Sequence, residues 1–282
     1  MVDERLIPVY ALNIAATPHP AGIYIKLLTR AATFFARAHG SDYARISVPK
    51  ESDRDGVYTG RILIWTEIDL GGKWYDVSAD AELSDALRKT ISIPENAKPN
   101  FRTFDYIFYE KKHRIYFEAR NDLGNTVGPS VILRVLRQLL SQDLQGLKAP
   151  SVEVTLVPKE GTVARILAMP GLRKLTMRVV LPNPDATDNA TLLRVRKRLQ
   201  DANARQLDET FTKRPGAARL VATQEIKDTA AVAAENGYVR GERTVDGKLV
   251  ALSTSDEPRR EYARADAGAS FLSRVLGSIG LF

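Results

Sequence analysis

The run Phe101-Arg102-Thr103-Phe104-Asp105-Tyr106-Ile107-Phe108-Tyr109, the turn Glu110-Lys111-Lys112-His113 and the run Arg114-Ile115-Tyr116-Phe117-Glu118-Ala119-Arg120 decide the fold class. Aromatic and β-branched residues favour extended chain, and a short polar interruption between two such runs predicts an antiparallel hairpin. Pairing across the turn sets Tyr109 opposite Arg114, Ile107 opposite Tyr116 and Asp105 opposite Glu118. Side chains alternate along a strand, so Phe104, Tyr106, Phe108, Ile115 and Phe117 share one face, which is core. The other face carries Asp105, Tyr109, Arg114, Tyr116 and Glu118, with Lys111, Lys112 and His113 at the tip.

Working outward, Val9–Ala15 reads as a strand closed by Thr17-Pro18-His19-Pro20, and a helix is predicted from Gly22 to His39 with Gly40 as its stop. Ala44–Pro49 and Gly56–Leu70 read as strands around the turn Asp53-Arg54-Asp55-Gly56. A short helix is predicted over Ala81–Lys89, and Ile93–Pro99 is a proline-rich loop. After the aromatic hairpin come a helix at Pro129–Leu140, a strand at Val152–Pro158, a helix at Thr162–Met169 and a strand at Leu172–Leu181. Helices at Thr191–Arg205 and Glu225–Asn236 and a hairpin over Asp246-Gly247 complete the pattern. Strands and helices intermix without regular alternation, so the reading is α+β: a mixed, largely antiparallel sheet with packed helices. The expected organisation is a globular domain over 1–254 with a possible subdomain boundary near 147–150. A polar linker over 255–268 and an amphipathic segment over 269–282 follow.

The chain has no cysteine, which excludes disulfides, zinc fingers, iron–sulfur clusters and thiol catalysis. No apolar run approaches the roughly 20 residues that span a bilayer, and Met1-Val2-Asp3-Glu4-Arg5 lacks the layout of a signal peptide. A cytoplasmic protein is expected, with no membrane, cofactor or metal. A net charge of +7 attracts polyanions only if it is concentrated on one face, so placement matters more than the sum.

Three constellations can carry chemistry. Exposed Tyr109 and Tyr116 beside Lys111, Lys112 and Arg114 suit stacked bases and held phosphates, although a sheet face covered by a helix accounts for the same pattern. The helix at Thr191–Arg205 adds a basic stripe of Arg194, Lys197 and Arg198, which suits a phosphate backbone or is simply a solvated face. Asp105 opposite Glu118 is repulsive unless neutralised, by a divalent ion as in a nuclease or by a neighbouring Arg102 or Arg120. His113 among lysines is a weaker general-base candidate. Glu51–Gly56 is no calcium loop, because Ile62 stands where the acidic twelfth ligand belongs. In the tail, Phe271, Leu272, Val275, Leu276 and Ile279 recur at helical spacing. They either dock on the chain's own domain or contact a protein partner or second copy, and deletion of 269–282 is expected to leave the fold intact but to change self-association or partner binding.

Several strings belong together: Asn13-Ile14 with His19-Pro20, Asp42-Tyr43-Ala44-Arg45-Ile46, Ile93-Pro94-Glu95-Asn96 through Lys98-Pro99-Asn100-Phe101-Arg102, and Lys112-His113-Arg114. Pro182-Asn183-Pro184-Asp185 and Asn236-Gly237-Tyr238-Val239 continue the set. With them the chain resembles an uncharacterised bacterial family catalogued as a domain of unknown function and found in mobile-element and phage-defence neighbourhoods. The resemblance implies an intracellular bacterial protein with a defence role and transfers no catalytic residues. The leading expectation is a non-enzymatic protein that binds DNA or RNA. The alternatives are a nuclease toxin using Asp105, Glu118 or His113, and a protein-interaction subunit of a defence complex working through the tail.

Overall fold

A computed structural model describes residues 6–146, 148–182, 190–264 and 268–279. The first part of the chain forms β1 (Leu6–Thr17), α1 (Ile23–Ala31), β2 (Ala36–His39), β3 (Asp42–Ile46), β4 (Lys50–Glu51), β5 (Val57–Thr66), β6 (Tyr75–Asp76) and β7 (Ala81–Glu82). It continues through α2 (Asp85–Arg88), β8 (Arg102–Tyr109), β9 (Arg114–Glu118), α3 (Pro129–Leu139), α4 (Gln142–Gln145) and β10 (Ser151–Leu156). The second part forms α5 (Thr162–Leu167), β11 (Lys174–Val180), α6 (Ala190–Asp201), β12 (Gln206–Thr212), α7 (Gln224–Glu235), β13 (Gly237–Val245) and β14 (Lys248–Ser253). The chain ends in β15 (Arg260–Arg264) and α8 (Phe271–Ile279). The α+β reading holds, with antiparallel pairing in every named ladder.

The hairpin β8–β9 has the register expected of it: Tyr109 faces Arg114 and Ile107 faces Tyr116. Phe104, Tyr106, Phe108, Ile115 and Phe117 are buried against Tyr24, Leu27 and Leu28 of α1 and Ile132, Val135 and Leu136 of α3. Tyr106 lies directly opposite Gly60 of β5. A Cβ at that glycine would come within 2.5 Å of the Tyr106 ring, so the ring occupies the space a side chain would need.

The predicted helix over 22–39 ends at Ala31, and Ala36–His39 is a strand instead. Thr33 closes α1 by donating its hydroxyl to the Arg30 carbonyl at 2.8 Å. Ala36 and Ala38 are buried while Arg37 and His39 are exposed, a period of two that a window dominated by the preceding helix hides. Gly40, with φ 53°, turns β2 into β3 and caps no helix. Likewise Ala81–Glu82 is extended, and α2 starts only after Ser84, whose hydroxyl accepts the Leu87 N–H. The hairpin over Asp246-Gly247 is as expected; both residues have positive φ, 48° and 75°, as a type I′ turn requires.

The topology turns on β1. One edge pairs with β9 from Val9 to Asn13. The opposite edge takes β15 from Leu6 to Tyr10 and β10 from Leu12 to Thr17. Two further bonds join these end to end, Val157 N–H to Ala11 O at 3.0 Å and Arg259 N–H to Val157 O at 2.8 Å. One edge strand is therefore split in two, and the second sheet, β12-β11-β13-β14, is inserted at the split. Its core is Leu175, Met177, Val179 and Val239 packed under α5, α6 and α7. The break expected near 147–150 precedes β10, which belongs to the first sheet; residue 147 and residues 183–189, with most of the Pro182–Asp185 spacer, lie outside the described residues.

Residues 255–268, read as a polar linker, contain β15, in which Ala263 is buried between exposed Tyr262 and Arg264. The segment after it is α8, laid over the second face of the first sheet. Phe271 and Val275 are 5% and 0% exposed among Val9, Val57, Ile107, Tyr109 and Tyr116. Leu272 and Leu276 pack at its margin, and the side chain of Ile279 lies outside the described residues. The tail thus packs on its own sheet, the first of the two placements expected for it. Replacing Phe271 by Ala should cost about 3–5 kcal/mol, the usual range for emptying a buried aromatic site. Denaturant unfolding of the full chain measures it, and a loss below about 1 kcal/mol would show that α8 does not seal this face.

Candidate polyanion-binding cleft

The residues expected to touch phosphate are mostly engaged with acids. Lys111 pairs with Asp55 at 2.7 Å, and Lys112 lies 5.8 Å above the Tyr109 ring. On α6, Arg194 meets Asp228 at 3.2 Å, Lys197 meets Asp201 at 2.6 Å and Arg198 meets Glu209 at 2.6 Å. Such exposed pairs add little stability, but each acid cancels the local field that would draw a polyanion. The apolar side of α6 is as predicted, with Leu192, Val195 and Leu199 buried. Tyr109 and Tyr116 are buried under α8, 7% and 6% exposed, so neither ring is open to a base. The signal for this is in the sequence: Tyr106-Ile107-Phe108-Tyr109 is apolar at every position, the mark of a strand buried on both faces.

The expected carboxylate pair is present. Glu118 Oε1 accepts the Asp105 N–H at 2.9 Å, and Glu118 is only 5% exposed. Burial pushes the Glu118 carboxyl up to about 7; the Asp105 N–H and Arg274 oppose this, while Asp105 and Asp122 add to it. Burial also raises Asp105, against the pull of Arg61. The counter-charge comes from Arg274 of α8, which clasps Asp122 through Nη1 at 3.0 Å and Nη2 at 3.4 Å. The alternative neutraliser Arg102 is committed to Asp42. His113 is buried in a left-handed turn conformation, its ring 4.7 Å from that of Tyr24 and 5.0 Å from that of His19. Among the described residues, no three His, Cys, Asp or Glu side chains converge in a way that could hold a metal.

A different site emerges where the inserted unit meets the first sheet. The junction is held by the C-terminal carbonyl of α7: Glu235 O accepts from Asn13 Nδ2 at 3.2 Å and Thr155 Oγ1 at 3.1 Å. Beside it, Lys159 N–H donates to Glu257 O at 2.8 Å, and the Glu257 carboxylate accepts the Thr162 hydroxyl and contacts Arg165. Between these contacts lies a cleft of about 810 Å³. Its floor is aliphatic, from Val157, Val163, Ala164 and Leu167 on one side and Ala231 and Ala234 of α7 on the other. Five cations line it, Arg114, Lys159, Arg219, Lys227 and Arg259, against two acids, Glu160 and Glu235. Arg114 is drawn toward Glu235 at 3.7 Å and Arg259 toward Glu261 at 2.5 Å. Lys159, Arg219 and Lys227 are exposed and make no ion pair among the described residues.

Of the sequence-derived candidates only Arg114 lines this cleft. Residues 5–279 match the family model described as a domain of unknown function, DUF4747. The chain belongs to that family. None of the curated proteins matches it. The DUF4747 match runs through the first sheet, the inserted unit and α8, so insertion and tail helix are parts of the family's domain.

The buried Glu118 gives a pH signature. Its carboxyl titrates at about 7 in the fold and near 4.3 in an unfolded chain, so between those values the native state holds a proton that the unfolded chain releases. Stability contributed by this group is therefore full below about pH 4 and is lost as the pH rises toward 7. Glu118→Gln keeps an acceptor for the Asp105 N–H and should stabilise the protein at pH 8 by on the order of 3–4 kcal/mol. Urea unfolding from pH 4 to 8 checks this; an unchanged pH slope in the variant would contradict it.

Proposed function

We propose that the protein binds nucleic acid through the cleft between its two units, tracking the phosphate backbone. The supporting observation is the set of cations without ion-pair partners among the described residues, Lys159, Arg219 and Lys227, gathered with Arg114 and Arg259 around one cavity. Lys159 follows β10 where the chain leaves the first sheet, Arg219 lies in the segment before α7 and Lys227 is on α7, so the fold concentrates a charge that is dispersed along the sequence. Among the described residues, no aromatic side chain lines the cleft. An aliphatic floor supplies no stacking platform, so binding is sequence-tolerant and dominated by phosphate contacts. The role is binding without catalysis, in phage defence or a mobile element; that setting rests on the family resemblance alone.

Fluorescence polarisation with labelled single-stranded DNA and RNA across a salt titration tests this reading. Lys159→Ala/Arg219→Ala/Lys227→Ala should lower affinity at least about tenfold and flatten the log–log salt slope by about 2, three contacts at about 0.7 each. The paired stripe serves as a control: Arg194→Ala/Lys197→Ala/Arg198→Ala should change affinity less than about threefold. An unchanged slope in the cleft variant, or a larger effect from the stripe, would overturn the assignment.

A further inference from the structure

A second cavity, of about 530 Å³, lies in the helical layer of the first unit, between α1, α4 and the turn that leads into β10. It shares no lining residue with the cleft. Among the described residues, three cations surround it, Lys26 and Arg30 of α1 and Lys148, and no acidic residue lines it. None of the three makes an ion pair among the described residues, and all three are exposed. Lys26 and Arg30 are four residues apart on one helix face, a spacing at which like charges repel unless an anion bridges them. The turn that presents Lys148 is tied down: Gln142 Nε2 donates to Ala149 O at 2.8 Å, and Ala149 N–H donates to Gly146 O at 2.9 Å. The Arg30 guanidinium lies over that turn, 3.6 Å from where a Cβ on Gly146 would stand.

The floor carries a second, independent signal. Gln145 is 2% exposed and lines the cavity. Its Nε2 donates to Leu27 O at 3.2 Å and Leu139 O at 2.9 Å, which fixes the amide so that Oε1 is the remaining group. Oε1 is buried and has no hydrogen-bond partner. A buried acceptor left unpaired is rare, and it calls for a donor from an ordered water or a bound ligand. Ile23, Leu27 and Pro150 give the rest of the cavity an apolar surface.

We propose that this cavity binds a nucleoside monophosphate. Lys26, Arg30 and Lys148 hold the phosphate, a ribose hydroxyl donates to Gln145 Oε1, and the base lies on the Ile23, Leu27 and Pro150 surface. The volume falls within the usual range of small-molecule sites, about 300–1,000 Å³. The charge is too concentrated for a neutral ligand, and the Ile23, Leu27 and Pro150 surface beside it is left bare by inorganic phosphate but covered by a nucleoside. The site stands on residues separate from those of the cleft and does not depend on the function proposed there.

Isothermal titration calorimetry of the full chain with adenosine 5′-monophosphate tests it. Saturable binding in the sub-millimolar range is expected, at least about tenfold weaker for Lys26→Ala/Arg30→Ala/Lys148→Ala, whose replaced side chains are on the surface. Adenosine should bind at least about tenfold more weakly than the monophosphate, and its 2′,3′-dideoxy monophosphate about fivefold more weakly. The variant lacking Lys159, Arg219 and Lys227 should keep its affinity for the monophosphate within about twofold, which separates this site from the cleft. No saturation by the wild-type chain, equal affinity in the Lys26/Arg30/Lys148 variant, or equal affinity for inorganic phosphate would each overturn the proposal.

Discussion

Strand β1 is hydrogen-bonded along both edges, by β9 on one side and by β10 and β15 in tandem on the other. A strand paired on both sides is internal to its sheet, and its position fixes where the chain can leave and re-enter the sheet. The chain leaves after Leu156 and returns at Arg260, so both connections to the inserted unit emerge at one point, beside Ala11. Exit and return side by side bring Lys159 close to Arg259, and the α7 terminus is pinned to Asn13 and Thr155 of the same sheet region. The cleft with its cations is a geometric consequence of that split strand.

The same return delivers α8. Once β15 has paired with β1, the following helix lies over Ile107, Tyr109 and Tyr116, and a sheet that would have one wet face is dry on both. Dryness has an electrostatic cost at Glu118, whose carboxylate is desolvated there. Arg274, 8% exposed, offsets part of it and ties α8 to Asp122. Packing and charge therefore act together on one helix.

What was legible in the sequence is what local pattern and neighbouring pairing determine. The register of β8 on β9, the Asp246-Gly247 turn and the buried side of α6 depend on contacts within a few residues to a few turns of chain. The helix over 22–39 was misread because the apolar period changes from helical to twofold after Ala31, within four short residues of strand. The exposed reading of Tyr109 and Tyr116 failed because a polar tip and alternating charges outweighed an unbroken apolar run; the cover arrives from more than 150 residues later, at Phe271. Charge was the least legible property. The local cluster on α6 is cancelled by Asp228 and Glu209 from other elements, whereas Lys159, Arg219 and Lys227 become a cluster only in three dimensions.

The pairing of β15 with β1 sets the cleft and positions α8. Native-state amide hydrogen exchange tests it directly. The N–H groups that join β15 to β1, together with those of Val157 and Arg259, should exchange as slowly as those of β10. If residues 260–264 exchanged at the rate of unstructured peptide while β10 remained protected, the segment would be a tether, and the split-strand origin of the cleft would be wrong.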